Sequence, residues 1–498
     1  MPQHLTRPRL YLGASALSLL LSLYLIALNP VLSNDSVLYL RTAQAFHQSG
    51  LDAALALYPW PTLSIFIAWI HSLTGLSFEL SAYLLSACSY LLLICVFIAI
   101  VGQLGGSLAT QLLAAFLILV FPTLNDYRAY IIRDHAYWAF VLLSLLQLLR
   151  FERSGAWRHA CGWALAVCAA TAFRTEGLFI LALTPLALLR IRQPDTFIAV
   201  AKPYTAVFGA AVLVMLPLLL SSDTLSATRL YREIVSAPQF LGQIGQQLDQ
   251  SVTAIKLAVD NYYFSHDAKI VFIGGLLALL VYQGLHALTP VYLLLLLWAR
   301  GCLPDSLRQG RFIILSYALA ISLCLVLFIF SKQFMNDRFM MPLCLLALIY
   351  LPFAVTALAE RTNGRLVSPR SVFLMVLLAY PTLDTFISTG TDKRYIAEAV
   401  YWLQQQRPDH GVILTNNQHI AYFSGGSFDA CGLNESPGRV LNRKKCKAPE
   451  LLVYEVKRKN KWLNAELQKL QQNSGYLLQA RIHNDDQDAV VILARSGG

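Results

Sequence analysis

Long apolar runs dominate this sequence and decide its class of fold. The first run covers residues 10–28, and similar runs recur until about residue 387. A helix needs about 20 consecutive apolar residues to cross the roughly 30 Å hydrocarbon core of a bilayer. Only 13% of the residues are charged, whereas a soluble protein carries roughly 25%. The sequence therefore predicts a polytopic α-helical membrane protein.

Basic residues between the apolar runs set the predicted orientation. Cytoplasmic loops of membrane proteins retain Lys and Arg, and the formal net charge here is +11. Arg7 and Arg9 precede the first run, whereas Arg150 and Arg153 end the fourth. This pattern predicts roughly 11 transmembrane helices, with the N-terminus inside and the C-terminus outside. The first run exceeds the roughly 7–15-residue core of a signal peptide, so we predict an uncleaved span.

Residues 268–299 leave two topologies open. They contain two apolar stretches, which could form two spans. Arg300, Arg308 and Arg311 follow these stretches and favour the cytoplasm, which requires a single net crossing. We therefore predict one span and one partial or re-entrant segment.

A long first connection, residues 29–77, separates the first apolar run from the second. Its start is too polar for lipid, and Asp35 lies there beside Asn34. An amphipathic helix is predicted next, because apolar residues recur at helical spacing. Tyr58 and Trp60 then alternate with prolines, and a second apolar helix is predicted to end at Gly75. Because the loop follows the first span, we place it outside the cytoplasm.

The pattern changes after residue 388. Residues 395–406 predict an amphipathic helix, and residues 411–415, 451–456 and 490–494 predict strands, with a helix over 462–471. We therefore predict a transmembrane domain over 1–388 and a small extracytoplasmic α/β domain over 389–498. Residues 221–267 are predicted to be a long polar segment outside the membrane.

Two further features belong to the C-terminal domain. Cys431 and Cys446 are a candidate disulfide if the domain is outside the cytoplasm, and free thiols otherwise. Residues 443–447 and 457–461 form two basic clusters. Their first interpretation is a solvated face, and their alternative is contact with an anionic lipid or glycan.

Charged residues gather at the predicted outer ends of the helices. A charge in hydrocarbon is costly, so charges retained at span ends tend to line a cavity. Carboxylates can take a proton from a hydroxyl, and arginines can hold a phosphate in a bidentate manner. This combination suits group transfer from a phosphate-linked donor. The residues concerned are Asp35, Asp126, Arg133, Asp134, Arg174, Glu176, Asp337 and Arg338.

Each of these side chains also has a structural interpretation. Asp35 could cap the helix that it begins, and Asp134 could pair with Arg133 or Arg128. Arg174 and Glu176 could form a local ion pair. Tyr58 and Trp60 suit anchors at the membrane interface, although an aromatic ring can also stack on a sugar.

The order of these motifs resembles that of the C-type, membrane-integral glycosyltransferases that use polyprenyl-phosphate sugars. This group includes the protein O-mannosyltransferases and the lipid A aminoarabinose transferases. The resemblance covers about residues 10–390. The matching positions are Asp35, Tyr39, Ala43, Gly50, residues 59–63, residues 73–77, Arg133, Asp134, residues 173–177 and residues 337–342.

The resemblance implies an inverting transfer of a sugar from a polyprenyl phosphate to an acceptor hydroxyl. It implies that Asp35 is the catalytic base and that Asp134 is a second catalytic acid position. Several members have two adjacent acids in the first loop, but the neighbour here is Asn34, so no metal site is predicted. A divalent cation as cofactor stays open. The implied substrate-binding residues are Arg133, Arg174, Glu176, Arg338, Tyr58, Trp60 and Tyr39.

The partners implied are a polyprenyl-phosphate-linked sugar, membrane lipid, and a glycan, lipid or protein acceptor, but not nucleic acid. We predict a bacterial inner membrane location, with the active site and the C-terminal domain on the periplasmic side. The alternative function is a transporter or flippase of a lipid-linked anion, which would place its charges at the membrane midplane. A non-catalytic scaffold would leave the converging charges unexplained.

Overall fold

The computed structural model describes most of the chain. The candidate disulfide residues Cys431 and Cys446 and the basic cluster 443–447 lie outside the described residues. The described residues are 6–190, 196–219, 229–259, 262–301, 303–308, 310–361, 369–386, 392–406, 413–425, 437, 449–473 and 475–495.

Helices make up most of the described chain. Helices α1 to α10 are Arg7–Leu28, Asn34–Leu57, Thr62–Thr74, Phe78–Gln103, Leu108–Leu119, Pro122–Asp126, Asp134–Ser154, Trp157–Phe173, Gly177–Leu183 and Thr196–Leu219. Helices α11 to α20 are Arg229–Val259, Tyr262–Leu288, Pro290–Ala299, Arg311–Lys332, Asp337–Leu348, Leu351–Glu360, Pro369–Phe386, Arg394–Gln406, Gln418–Phe423 and Lys461–Asn473. Two 3-10 helices cover Thr184–Arg190 and Asp305–Arg308.

The chain forms two compact units, and their boundaries fall within both α1 and α2. The first unit comprises Met1–Ser22, Thr42–Arg128 and Ile132–Ile387. The second unit comprises Leu23–Arg41, Ala129–Ile131 and Ser388–Gly498. The second unit is thus assembled from three separate parts of the sequence.

Within the described residues, five helical stretches are long and apolar enough to cross a membrane: Arg7–Leu28, Phe78–Gln103, Ser265–Leu288, Arg311–Lys332 and Asp337–Glu360. Their outward faces carry large apolar side chains, as at Leu12 and Ile270, which are more than 70% exposed. Such a surface suits lipid better than water. Further apolar helices are shorter, so the count of about 11 crossings stays a prediction.

Two apolar stretches of the sequence are broken in the structure. The stretch 178–189 is divided, because α9 ends at Leu183 and a 3-10 helix follows. Pro185 explains this break, because proline has no N–H to donate within the helix. Residues 268–299 form two separate helices, with a positive φ of 66° at Thr289 between them. The ten-residue α13 extends only about 15 Å, which suits the predicted partial segment.

The segment 221–267 contains a long helix that the sequence analysis missed. Helix α11 buries Ile244 and Val252, with Leu248 between them half-buried. Ser251 donates to Gln333 at 2.8 Å. The four-residue spacing of the buried positions is the helical period, and it was hidden by the many polar residues between them.

Buried hydroxyl groups join three helices of the first unit. The indole of Trp163 in α8 donates to the Tyr317 hydroxyl of α14 at 3.1 Å. That hydroxyl donates in turn to Ser144 of α7 at 2.9 Å. All three side chains are fully buried, so each polar group finds a partner without water. Helices α7, α8 and α14 thus form a fixed frame, and the candidate site lies on it.

The second unit contains a four-stranded sheet covered on both faces. Its strands β1 to β4 are Ile413–Thr415, Leu451–Val456, Tyr476–His483 and Ala489–Arg495, in the order β1-β2-β4-β3. Strand β1 is parallel to β2, and the other pairs are antiparallel. Strand β3 was not predicted. The small α/β fold itself was predicted correctly.

Alternate residues of the strands pack against a helix on each side of the sheet. Ile396 and Leu403 of α18 cover one face together with Val453. Leu463 and Leu467 of α20 cover the other face. This alternation follows from the two-residue period of a strand.

Early residues of the chain complete the second unit. The backbone N–H of Leu32 donates to Nδ1 of His419 at 3.0 Å. The hydroxyl of Ser36 contacts both the N–H and the carbonyl of Ile131, at 3.2 and 3.3 Å. The first connection is therefore tied to the C-terminal fold by specific hydrogen bonds.

Candidate active site

A buried ion cluster lies where three helices of the first unit begin or end. Arg174 follows α8, and its guanidinium donates to Asp134 at the start of α7 and to Glu176 just before α9. Asp134 and Arg174 are buried, and the side chain of Glu176 is 20% exposed. The sequence predicted the ion pair of Arg174 with Glu176. The suggested partners of Asp134, Arg133 and Arg128, were wrong, because Asp134 pairs with Arg174.

A tight turn positions Arg174 and Glu176. The N–H of Gly177 donates to the carbonyl of Arg174 at 3.0 Å, which closes the turn between α8 and α9. Gly177 lies against Thr171, and an added Cβ would be 2.5 Å from the Thr171 hydroxyl and 2.8 Å from its backbone nitrogen. Only glycine fits there without a shift of the backbone. The turn therefore depends on this residue.

The cluster carries one net negative charge, because one guanidinium faces two carboxylates. Burial raises the pKa of Glu176, but the Arg174 charge and hydrogen bond outweigh it and lower the pKa to about 2, with a further contribution from Arg133. Burial lowers the pKa of Arg174, but Asp134 and Glu176 outweigh it and hold the pKa well above its ordinary value. Arg174 and Glu176 therefore stay charged at neutral pH.

The ion cluster forms one wall of a small cavity in the first unit. The cavity has a volume of about 30 Å³, which is room for about one water molecule. Arg338 lines the cavity as well, so its walls include two arginines and two carboxylates. The opposite wall is apolar and belongs mainly to α14. The remaining lining residues are Tyr137, Trp138, Ile321, Cys324, Leu325, Phe328, Phe339 and Pro342.

Phe339 lies against both arginines of this cavity. The guanidinium carbon of Arg174 is 4.8 Å from the centre of its ring, and that of Arg338 is 5.0 Å away. Cation–π contact of this kind stabilises a guanidinium away from water. Tyr137 and Trp138 have no distinguishing signal in the sequence, because aromatic residues are common in apolar runs, whereas Phe339 falls within the motif 337–342 that the resemblance matched.

Asp337 and Arg338 begin α15 and have different surroundings. Asp337 accepts a hydrogen bond from Gln283 at 2.6 Å and contacts Nδ1 of His286 at 3.1 Å. The preceding Asn336 caps the helix through the N–H of Arg338 at 3.3 Å. Asp337 is therefore held by α12, and Arg338 is the member of the pair that lines the cavity.

Arg133 and Tyr58 lie close to each other near Glu176. The guanidinium carbon of Arg133 is 5.9 Å from the centre of the Tyr58 ring. Trp60 is buried, and its indole donates to the carbonyl of Ala172 at 2.7 Å. Trp60 thus fixes the end of α8, which favours its structural interpretation.

Asp35 and Tyr39 lie on the part of α2 that belongs to the second unit. Asp35 is in the first turn of the helix, and Tyr39 is buried. Within the described residues, no group of three His, Cys, Asp or Glu side chains is arranged to hold a metal ion.

No protein-family model and no curated protein sequence matches the chain, but solved structures do. ArnT from Cupriavidus metallidurans bound to undecaprenyl phosphate matches with a TM-score of 0.55 and 12% identity, over 98% of each chain. Archaeal oligosaccharyltransferase AglB from Archaeoglobus fulgidus, in complex with an inhibitory peptide and a dolichol-phosphate, matches with a TM-score of 0.54 and 13% identity. That match covers 98% of this chain and 74% of that one.

The chain has the C-type glycosyltransferase fold. A third match is an Archaeoglobus fulgidus oligosaccharyltransferase tethered with an acceptor peptide, with a TM-score of 0.52 and 14% identity. It covers 84% of this chain, which spans 63% of the length of that protein. The predicted resemblance is thus confirmed at the level of the fold. Together with the apolar helices, it identifies an integral membrane protein.

Proposed function

We propose that the chain is an inverting glycosyltransferase that moves a sugar from a polyprenyl-phosphate donor to an acceptor hydroxyl. The observation that carries this proposal is the buried Asp134–Arg174–Glu176 cluster beside Arg338. Structures of the same fold contain undecaprenyl phosphate or dolichol-phosphate, which supports a lipid-linked donor. The donor sugar is a hexose or a pentose, and the acceptor is a glycan, lipid or protein.

In the proposed reaction, a carboxylate takes the proton from the acceptor hydroxyl as its oxygen attacks the anomeric carbon. The new carbon–oxygen bond forms on the face opposite the phosphate, so the configuration inverts. The bond between the anomeric carbon and the phosphate oxygen breaks, and the polyprenyl phosphate leaves with both electrons. A cation beside that oxygen stabilises the negative charge that develops on it.

Asp35 is the proposed base, and Asp134 is the alternative. Arg174 already contacts two carboxylates, so its proposed role is to position them. Arg338 and Arg133 are then the better candidates for the phosphate, with Tyr58 beside Arg133. A cavity with room for one water molecule must open to admit a phosphate.

The location of the charges favours a transferase over a transporter. The cluster residues lie where α7 and α9 begin and α8 ends, whereas a transporter is expected to bind its substrate near the middle of the membrane. We further propose a bacterial inner membrane, with the reaction and the C-terminal unit on the periplasmic side. The basic connections at the other helix ends support this orientation.

The test is the release of undecaprenyl phosphate by the purified full chain in detergent, with a panel of radiolabelled undecaprenyl-phosphate pentoses and hexoses. We expect the wild type to release it with at least one donor and Asp35→Asn to slow release about 100-fold or more, as for loss of a general base. Asp52→Asn is the matched control, because Asp52 is exposed on the same helix. Full activity of Asp35→Asn would move the base to Asp134, and no release with any donor would overturn the proposal.

A further inference from the structure

A basic pocket lies in the second unit, away from the residues assigned above. It has a volume of about 720 Å³, which is within the range of pockets that bind small ligands. The turn after β2, the start of α20 and the end of β3 surround it. Its lining residues are Val456, Lys457, Arg458, Asn460, Lys461, Asn464, Ala465, Gln468, Arg481, His483 and Gln487.

Regular structure fixes the walls of the basic pocket. Lys461, Asn464 and Gln468 share one face of α20, because three and four residues correspond to about one helical turn. Arg481 of β3 approaches Asn464 at 3.5 Å. The backbone N–H of Arg458 donates to Asp488 at 2.7 Å, which joins the turn after β2 to the turn after β3. The concave shape is therefore built into the fold.

The charge of the pocket is one-sided. Four cationic side chains line it, from Lys457, Arg458, Lys461 and Arg481, and no carboxylate does. In the part of the chain that the structure describes, none of these four forms an ion pair. Asp485, Asp486 and Asp488 lie in the nearby β3–β4 turn, but none of them belongs to the lining. The four positive charges repel one another, so a bound anion would lower the electrostatic energy of the pocket.

The uncharged polar side chains of the basic pocket limit the chemical class of its ligand. Asn460, Asn464, Gln468 and Gln487 present amide groups, which both donate and accept hydrogen bonds and so suit sugar hydroxyls. Apart from Val456 and Ala465 the lining offers no apolar side chain, whereas a membrane-binding surface would need apolar residues to enter the lipid. The concave shape also separates this cluster from a simple solvated face.

We propose that the basic pocket binds an anionic oligosaccharide, with its lysines and arginines on carboxylate or phosphate groups and its amides on hydroxyls. Lys and Arg both bind such anions, and the planar guanidinium does so through two parallel hydrogen bonds. This inference goes beyond the proposed transfer reaction and does not depend on it.

The experiment titrates the full chain in detergent with each of three tetrasaccharides. Isothermal titration calorimetry measures the affinity of each compound. Tetragalacturonate carries carboxylates, maltotetraose 1-phosphate carries a phosphate, and maltotetraose is the neutral control. We expect at least one of the anionic compounds to bind about tenfold or more tightly than maltotetraose. Added salt should weaken this binding, because exposed charges are screened.

Variants locate the binding in the pocket. Lys461→Gln and Arg481→Gln should each weaken the binding of the anionic compound about tenfold. Lys459→Gln removes the same charge from the same cluster, but Lys459 is exposed and does not line the pocket, so less than a twofold change is expected. Asp35→Asn, which is expected to slow the transfer reaction, should leave this affinity unchanged, which separates this test from that of the transfer reaction.

Three results would overturn the proposal. The first is equal binding of all three tetrasaccharides, or none. The second is an equal loss of affinity in Lys459→Gln and Lys461→Gln, which would indicate nonspecific charge attraction. The third is binding to phosphatidylglycerol vesicles that Lys461→Gln abolishes, without binding of either anionic tetrasaccharide, which would assign the pocket to lipid head groups.

Discussion

The guanidinium of Arg174 contacts both Asp134 and Glu176. These contacts distinguish the expected role of Arg174 from that of Arg338. A cation that already contacts two carboxylates attracts a further anion such as phosphate less strongly. Arg338 lines the same cavity without belonging to that pair of contacts. The consequence is that Arg338 should matter to the donor and Arg174 to the integrity of the site.

We predict that Arg338→Gln slows release of undecaprenyl phosphate about 100-fold, because loss of a charge-stabilising group costs roughly 10²–10³ in rate. The melting temperature in detergent should stay close to that of the wild type. Arg300→Gln is the control, since Arg300 is an exposed arginine at the end of α13. Equal rates for the two variants would remove Arg338 from the proposed phosphate site.

Removal of Glu176 or Asp134 should act mainly on stability. Breaking a buried ion pair by removing one partner costs about 3–5 kcal/mol, because a charge is left without compensation. We expect Asp134→Ala to lower the melting temperature by several degrees, with Asp52→Ala unchanged, measured by tryptophan fluorescence. An unchanged melting temperature of Asp134→Ala would show that the cluster does not support the fold.

The second unit provides a pH-dependent prediction at His419. The side chain is 4% exposed and its Nδ1 accepts the N–H of Leu32, and burial lowers its pKa from 6.5 to about 4. Between these pH values the unfolded chain binds the proton and the folded chain does not, so stability falls as the pH falls. The loss amounts to about 3 kcal/mol in all.

The measurement is the melting temperature of the wild type and of His419→Gln between pH 7.5 and 4.5. Glutamine can still accept the Leu32 hydrogen bond, but it does not titrate. We expect the wild type to lose more stability than the variant below pH 6.5. Parallel curves would mean that His419 does not control the acid sensitivity.

The sequence predicted which charged residues lie together in the structure, but it did not predict which of them pairs with Asp134. Asp134, Arg174, Glu176 and Arg338 were selected because charges at span ends are costly, and they line one cavity. The pairing of Asp134 with Arg174 joins residues that are 40 positions apart. Such a pairing depends on how α7 packs against α8, which no local pattern records.

At the scale of elements, the turn between α8 and α9 carries the site. It holds Arg174 and Glu176, and its backbone approaches Thr171 closely at Gly177. A side chain there must push α8 and α9 apart, and overpacking of this kind costs about 1–3 kcal/mol. Small displacements of Arg174 and Glu176 would follow.

We therefore predict that Gly177→Ala lowers both the melting temperature and the rate of release. Gly274→Ala is the matched control, because a Cβ at this helical position meets nothing within 4 Å. Alanine there should be neutral or slightly stabilising, by about 0.5–1 kcal/mol, because it is a better helix former. Similar effects of the two substitutions would show that the close approach at Gly177 is unimportant.

The sequence predicted the end of a helix correctly where a single residue, such as a glycine with a positive φ, ends it. The helix α3 ends before Gly75, which has a left-handed φ of 71°, as the sequence suggested. Strand β3 was missed because Gln479 introduces a register shift between Leu478 and Ala480, which disturbs the alternation expected of a strand.

At the scale of the whole molecule, charge asymmetry makes the orientation testable. We predict that alkaline phosphatase fused after residue 498 is active in a bacterial host, because it needs the oxidising periplasm, and that green fluorescent protein at the same site is dark. Green fluorescent protein fused before residue 1 should be bright. The opposite pattern would invert the predicted topology and place the basic pocket in the cytoplasm.

The two-part architecture was predicted from composition, but its division was not. Apolar runs end near residue 387, and the described strands and helices after this point form a four-stranded sheet with helices on both faces. The inclusion of Leu23–Arg41 and Ala129–Ile131 in the second unit rests on long-range contacts. These have no counterpart in hydrophobic periodicity, which reports only on neighbours in the sequence.

The two partners of the hydrogen bond from Leu32 to His419 are synthesised at different times. Its partners are 387 positions apart, and ribosomes add roughly 5–20 residues per second. The first connection therefore waits about 20 to 80 s for its partner to be synthesised. Throughout that time the first connection lacks this hydrogen bond to the C-terminal part of the chain, so the stretch that carries the proposed base is among the last to reach its final form.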